Sequence, residues 1–79
     1  MKTTQYFDFV RLRPDRQAIR DEWILEVIKR PIRKIIQEDG RIRLWGRIST
    51  AEDKVLRVVL LPDAETVHNA FFDRSFKGA

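Results

Sequence analysis

Asp39-Gly40-Arg41-Ile42-Arg43-Leu44-Trp45-Gly46-Arg47-Ile48 is the stretch on which the reading of the chain turns. From Arg41 onward it alternates. Ile42, Leu44, Gly46 and Ile48 fall on one side, and Arg41, Arg43, Trp45 and Arg47 on the other. A period of two marks a strand with one face in a core and one toward solvent. The Asp39-Gly40 pair before it favours a two-residue type I′ hairpin turn, in which both central residues take positive φ. That turn implies a partner strand over residues 32–38. Downstream, residues 49–54 are polar and read as a loop. Residues 55–61 are apolar except for Arg57, so they predict a central strand covered on both faces. Pro62-Asp63-Ala64 reads as a turn and residues 65–72 as the last strand, with a short tail over 73–79.

Toward the N-terminus, Tyr6, Asp8 and Val10 alternate with Phe7, Phe9 and Arg11, which predicts a short strand or extended arm over 5–12. Pro14-Asp15 marks a boundary, with Asp15 as a plausible helix cap. Ile19, Trp23, Ile24, Val27 and Ile28 then form one apolar stripe at helical period, which predicts helix over 16–30. Asp21-Glu22 would also suit the start of a second helix, and Pro31 stops the segment. The expected fold is α+β. One or two N-terminal helices pack on a twisted antiparallel sheet of three to four strands, in a single domain over 1–79.

The length of 79 residues leaves one thin core and no room for a large multi-substrate enzyme. The absence of cysteine excludes a disulfide scaffold, a thiolate zinc site, an iron–sulfur cluster and a cysteine nucleophile. One histidine cannot form a multi-histidine metal site, and the three glycines make no phosphate-binding loop, so neither metal nor cofactor is expected. No apolar run approaches the roughly 20 residues of a membrane span, and the polar start Met1-Lys2-Thr3-Thr4-Gln5 does not read as a signal peptide. A cytoplasmic protein is the expectation.

Charge gives a direction. The formal net charge is +4, with a pI near 10.0. Residues 29–47 hold seven cations (Lys29, Arg30, Arg33, Lys34, Arg41, Arg43, Arg47) against two anions (Glu38, Asp39), so the excess sits in this one stretch. Clustered cations are the footprint of a polyanion such as RNA, or of an acidic protein.

Two constellations could carry chemistry. On the alternating strand, Arg41, Arg43 and Arg47 would hold a phosphate backbone while Trp45 stacks a base. The plainer reading is a solvated strand face with Trp45 shielded by arginine stems. The second is Val67-His68-Asn69-Ala70-Phe71-Phe72-Asp73-Arg74. Strict alternation puts His68 with Thr66, Ala70 and Phe72, and Asn69 with Val67, Phe71 and Asp73. Metal-free RNA cleavage needs a base for the 2′-hydroxyl, a cation at the phosphate and an acid for the leaving oxygen. His68, Arg57 and Arg74 would supply these roles if they converge. Otherwise His68 is a partly buried strand residue bonded to a neighbour, and the arginines belong to ordinary ion pairs.

A helix ending near Pro31, the stretch from Asp39 to Ile48, Val55-Leu56-Arg57-Val58-Val59-Leu60 and the segment from Thr66 to Arg74 together resemble small bacterial proteins of the DUF4258 type. Those are similar in size and layout to RelE/ParE- and BrnT-like toxins of toxin–antitoxin modules. The resemblance covers residues 14–76 and lies in element order and the arginine-rich hairpin. It implies helices on an antiparallel sheet, RNA cleavage in the RelE-like branch, and inhibition by an acidic antitoxin segment laid on the basic surface. RelE-like enzymes commonly carry a C-terminal tyrosine, whereas the only tyrosine here is Tyr6. Three readings stay open: an RNA-binding toxin-like protein with or without metal-independent cleavage, a non-catalytic module binding an acidic partner, and a homodimer formed by pairing an exposed strand.

Overall fold

The computed structural model describes residues 1–76, which form two α-helices, four strands and a short 3-10 helix at Ser49–Ala51 within the expected loop. Helix α1 spans Gln5–Val10 and α2 spans Asp21–Lys29; the strands are β1 (Arg33–Ile36), β2 (Ile42–Ile48), β3 (Lys54–Leu60) and β4 (Val67–Phe72). The strands form one antiparallel sheet in the order β1-β2-β3-β4. Both helices lie on one side of it, called the inner face here. The α+β class and the helices-on-sheet architecture expected from the sequence are those observed. No helix among the described residues is long and apolar enough to cross a membrane.

The inner face is the core. Ile42, Leu44 and Ile48 of β2, Leu56, Val58 and Leu60 of β3, and Val67 and Ala70 of β4 pack beneath Phe7, Ile24 and Val27 of the helices. Helix α2 crosses β2 and β3, and α1 covers β4. Gly46 lies directly under α2, where an added Cβ would stand 2.9 Å from Val27 Cγ2. Alternation in β2 and the continuous apolar run of β3 place these strands centrally, since both are hydrogen-bonded on two sides.

Four local expectations are corrected. Residues 5–10 are helix rather than strand. Thr4 caps α1, its Oγ1 accepting from Phe7 N–H at 3.0 Å, and the buried residues Phe7 and Val10 are three apart, a helical spacing. The extended arm does exist, but over residues 2–4. Thr4 N–H donates to Val67 O at 3.0 Å and Val67 N–H to Lys2 O at 2.8 Å, a parallel bridge at the edge of β4.

Helix α2 starts at Asp21, not near residue 16. The cap residue Arg20 has ψ 146°, and Ile19 reaches the core from the turn before it. The acidic pair Asp21-Glu22 then occupies the first turn, where it complements the helix dipole.

The hairpin between β1 and β2 is not type I′. Gly40 alone has positive φ, +89°, while Asp39 does not. Gly40 N–H donates to Gln37 O at 2.9 Å and Gln37 N–H to Arg41 O at 2.8 Å. These bonds enclose a three-residue loop ending in a left-handed glycine, the next most common hairpin geometry. The loop keeps the alternation of β2 intact and moves Arg41 out of the strand.

In β4 strict alternation fails. Val59 pairs with Asn69 but Leu60 with Val67, so His68 is an extra, bulged residue. Val67 and Ala70 both reach the inner face although three residues apart, and Val67 does not share a face with Asn69. The expected tail continues past Phe76, and its last three residues lie outside the described ones.

Candidate functional site

Among the described residues the outer face of the sheet carries no helix. Across its middle, Arg33, Trp45, Arg57 and Phe71 stand directly opposite one another on four successive strands. Residues opposite in register lie on the same face within side-chain reach. The row therefore alternates cation and ring. The Arg33 guanidinium lies 5.7 Å from the Trp45 centroid, and Arg57 lies 5.4 Å from Trp45 and 5.2 Å from Phe71. Arg16, from the turn before α2, closes the row 5.2 Å from Phe71 and donates to Asn69 Oδ1 at 2.8 Å. Each of these distances is within the range of cation–π attraction.

Trp45 holds this row together. Its indole N–H donates to Asp73 Oδ2 at 2.9 Å, and the Phe76 ring lies 6.1 Å away. The residue is only 6% exposed. The expectation that Trp45 offers an open face to a base is therefore corrected: arginines occupy that place. The plainer reading, an indole shielded by arginine stems, describes it. Trp45 positions cations instead of meeting a ligand.

Arg57 is half-buried, and its Nε is buried with no hydrogen-bond partner. Burial first, and then the neighbouring Arg43, lower its pKa, while Asp73 acts the other way. Both Asp73 oxygens are engaged, Oδ2 by Trp45 and Oδ1 by Ser75 N–H and Oγ at 3.0 and 2.6 Å. Those bonds, led by the Ser75 hydroxyl, hold its carboxyl below the ordinary range. A desolvated guanidinium with a free donor beside a second cation gains from an added anion.

The other expected ligand-holding arginines flank the row. Arg43 Nε donates to Gln37 Oε1 at 2.8 Å, one register step from Trp45 toward the hairpin, and Arg47 is exposed one step the other way. Arg41 sits in the hairpin, its N–H donating to Asp39 Oδ1 at 3.0 Å.

The expected catalytic trio is spread out. His68 lies at the seam with α1, its Nδ1 3.1 Å from Thr4 Oγ1 and its ring stacked on Tyr6 with centroids 4.9 Å apart. Burial first and Arg41 second depress its pKa, which favours the neutral imidazole. Arg74 is exposed and lines a groove with Arg16, Lys54 and Phe71. Arg57 is stacked against Phe71 and Arg74 lines the groove beside it, whereas the partners of His68 are Thr4 and Tyr6 at the seam with α1. Among the described residues no group of three or more His, Asp or Glu side chains is placed to hold a metal ion.

Sequence reasoning does not place Arg16, Arg33 and Phe71 on this face. Arg33 and Phe71 follow if the alternation of β2 is carried across all three strand pairings. Arg16 carries no such signal, because it reaches the sheet from an irregular turn. The chain matches no protein-family model, and no curated protein or solved structure is significantly similar to it.

Proposed function

We propose that the outer sheet face binds single-stranded RNA. The observation that carries this reading is the row Arg33–Trp45–Arg57–Phe71–Arg16 with Arg43 and Arg47 beside it. Guanidinium planes held by stacking lose little freedom on binding, and their forks match phosphate oxygens. Unpaired bases stack on arginine planes as well as on rings. Exposed Arg33, at the end of the row, has only one face against a ring and offers the other to a base. Cleavage would need His68 and Arg57 at one phosphate. His68 is engaged by Thr4 and Tyr6 at the seam with α1 while Arg57 stands in the row of the outer face, which favours binding without cleavage.

The test is fluorescence anisotropy of a labelled single-stranded RNA at several salt concentrations, with Arg43→Glu/Arg47→Glu beside the wild type. The double variant should keep its melting temperature and bind at least about tenfold more weakly. Its salt slope should fall by roughly 1.4, because each phosphate that an arginine neutralises on a single strand contributes about 0.7. Equal affinity at equal salt removes the site from this face. Binding of an acidic peptide but not of RNA would favour the protein-partner reading of the same face.

A further inference from the structure

We infer that β1 is a self-pairing edge and that two copies join through it into an eight-stranded sheet. This does not depend on the RNA reading. All four residues of β1 are exposed. Ile32, Ile35 and Ile36 are 43%, 38% and 64% exposed, an apolar cluster on one short segment. Helix α2 lies over β2 and β3 and α1 over β4, so Ile36, on the inner face, is left uncovered. The two edges of the sheet also differ. The start of β4 is closed by residues 2–4 through the Thr3–Val67 bridge, whereas β1 is the terminal strand on the other side. Unpaired edges recruit further strands unless blocked.

The occupant follows from register and charge. Gln37 donates to Arg41, so by antiparallel alternation residues 33 and 35 also direct their backbone groups at β2. Lys34 and Ile36 then direct theirs outward. A two-fold axis perpendicular to the sheet keeps both outer faces on one side and allows only registers in which a residue meets its own copy. Centred on Ile35, that register sets Ile35 against Ile35 of the second copy. Lys34 then meets Ile36 of the copy, and Ile36 its Lys34, as two mutually hydrogen-bonded pairs. Arg33 falls opposite Gln37. No like charges face each other, and each Ile36 lies against a lysine stem. Centring on Lys34 instead would oppose two lysines, which is unfavourable. Centring on Ile36 would set Lys34 opposite Glu38, which lies in the hairpin loop and outside the strand, so only the Ile36 pair itself would be hydrogen-bonded strand to strand. The strand is therefore complementary to itself in one register.

Sedimentation of the full chain without RNA tests the dimer. The wild type should reach twice 9.4 kDa with rising concentration. Ile36→Lys, a change at an exposed site, should weaken association at least about tenfold, because symmetry repeats the new lysine–lysine opposition. The register is tested separately, since the chain has no cysteine of its own. Ile35→Cys should form an intermolecular disulfide under mild oxidation, its Cβ atoms being about 4.5–5.5 Å apart. Ile36→Cys should not. A wild type that stays monomeric overturns the inference, as does a dimer indifferent to Ile36→Lys. Cross-linking of Ile36→Cys in preference to Ile35→Cys overturns the register.

Discussion

The guanidinium of Arg57 on β3 lies 5.4 Å from the ring centroid of Trp45, its direct register partner on β2. That pairing explains how an exposed sheet face keeps an indole almost wholly covered without a helix above it. Arginine stems shield the ring, Asp73 satisfies its N–H, and the ring in turn orients the cations.

Replacing Trp45 should accordingly cost stability as a core residue does. Trp45→Ala should lose about 3–5 kcal/mol in urea unfolding. Trp45→Phe, which keeps a ring but loses the bond to Asp73, should lose about 1–2 kcal/mol. A Trp45→Ala variant as stable as the wild type would contradict the shielded role.

Gly46 is required by the crossing of α2, not by its backbone angles. A Cβ there would stand 2.9 Å from Val27 Cγ2, so Gly46→Ala should destabilise by about 1–3 kcal/mol through overpacking. Adding Val27→Ala removes the clashing methyl. The double variant should therefore be more stable than the sum of the two single losses, and simple additivity would show that the contact is not the cause.

At Gly40 the backbone is the reason. Its φ of +89° disfavours any side chain, and an added Cβ would meet Pro62 Cγ at 3.1 Å. Gly40→Val should destabilise by more than about 1 kcal/mol. An unchanged melting temperature would place the turn elsewhere and shift every pairing between β1 and β2.

His68 makes stability depend on pH. Its folded pKa is depressed below the ordinary value of about 6.5, first by burial and then by Arg41. As pH falls, the unfolded chain takes up the proton before the folded one does. Unfolding free energy should therefore be full above about 6.5 and decline as pH falls through the lower folded value. His68→Gln should flatten this slope in a pH series of urea melts. A slope that survives the substitution would assign it to other groups.

The strands that fix the fold are readable because each has a strong pattern: strict alternation in β2, and an apolar run in β3 broken only by Arg57. Other features depend on context that no single segment carries. Residues 5–12 alternate well enough to read as strand, yet Thr4 caps a helix there and burial selects Phe7 and Val10. The bulge at His68 follows from pairing with Val59 and Leu60, which the sequence of β4 alone does not contain. For the site, period two places Arg43, Trp45 and Arg47 on one face correctly. It leaves two readings of Trp45 open, a stacking platform and a ring shielded by arginine stems, because the arginines that decide between them come from neighbouring strands. Arg33 and Arg57 become visible as partners only once the register is known.

The chain holds two tryptophans on opposite sides of the sheet, Trp45 outside and Trp23 on α2 packed edge-on against Phe72 at 6.0 Å. They let one measurement locate the bound RNA. In a nitrogen–proton NMR titration with single-stranded RNA, the account predicts shifts at the Trp45 indole, at the Nε–H groups of Arg33, Arg43 and Arg57, and along the outer face of β1 to β4. The Trp23 indole should hold its position. Shifts confined to Trp23 and the helices, or no shift at saturating RNA, would contradict the assignment of RNA binding to the outer face.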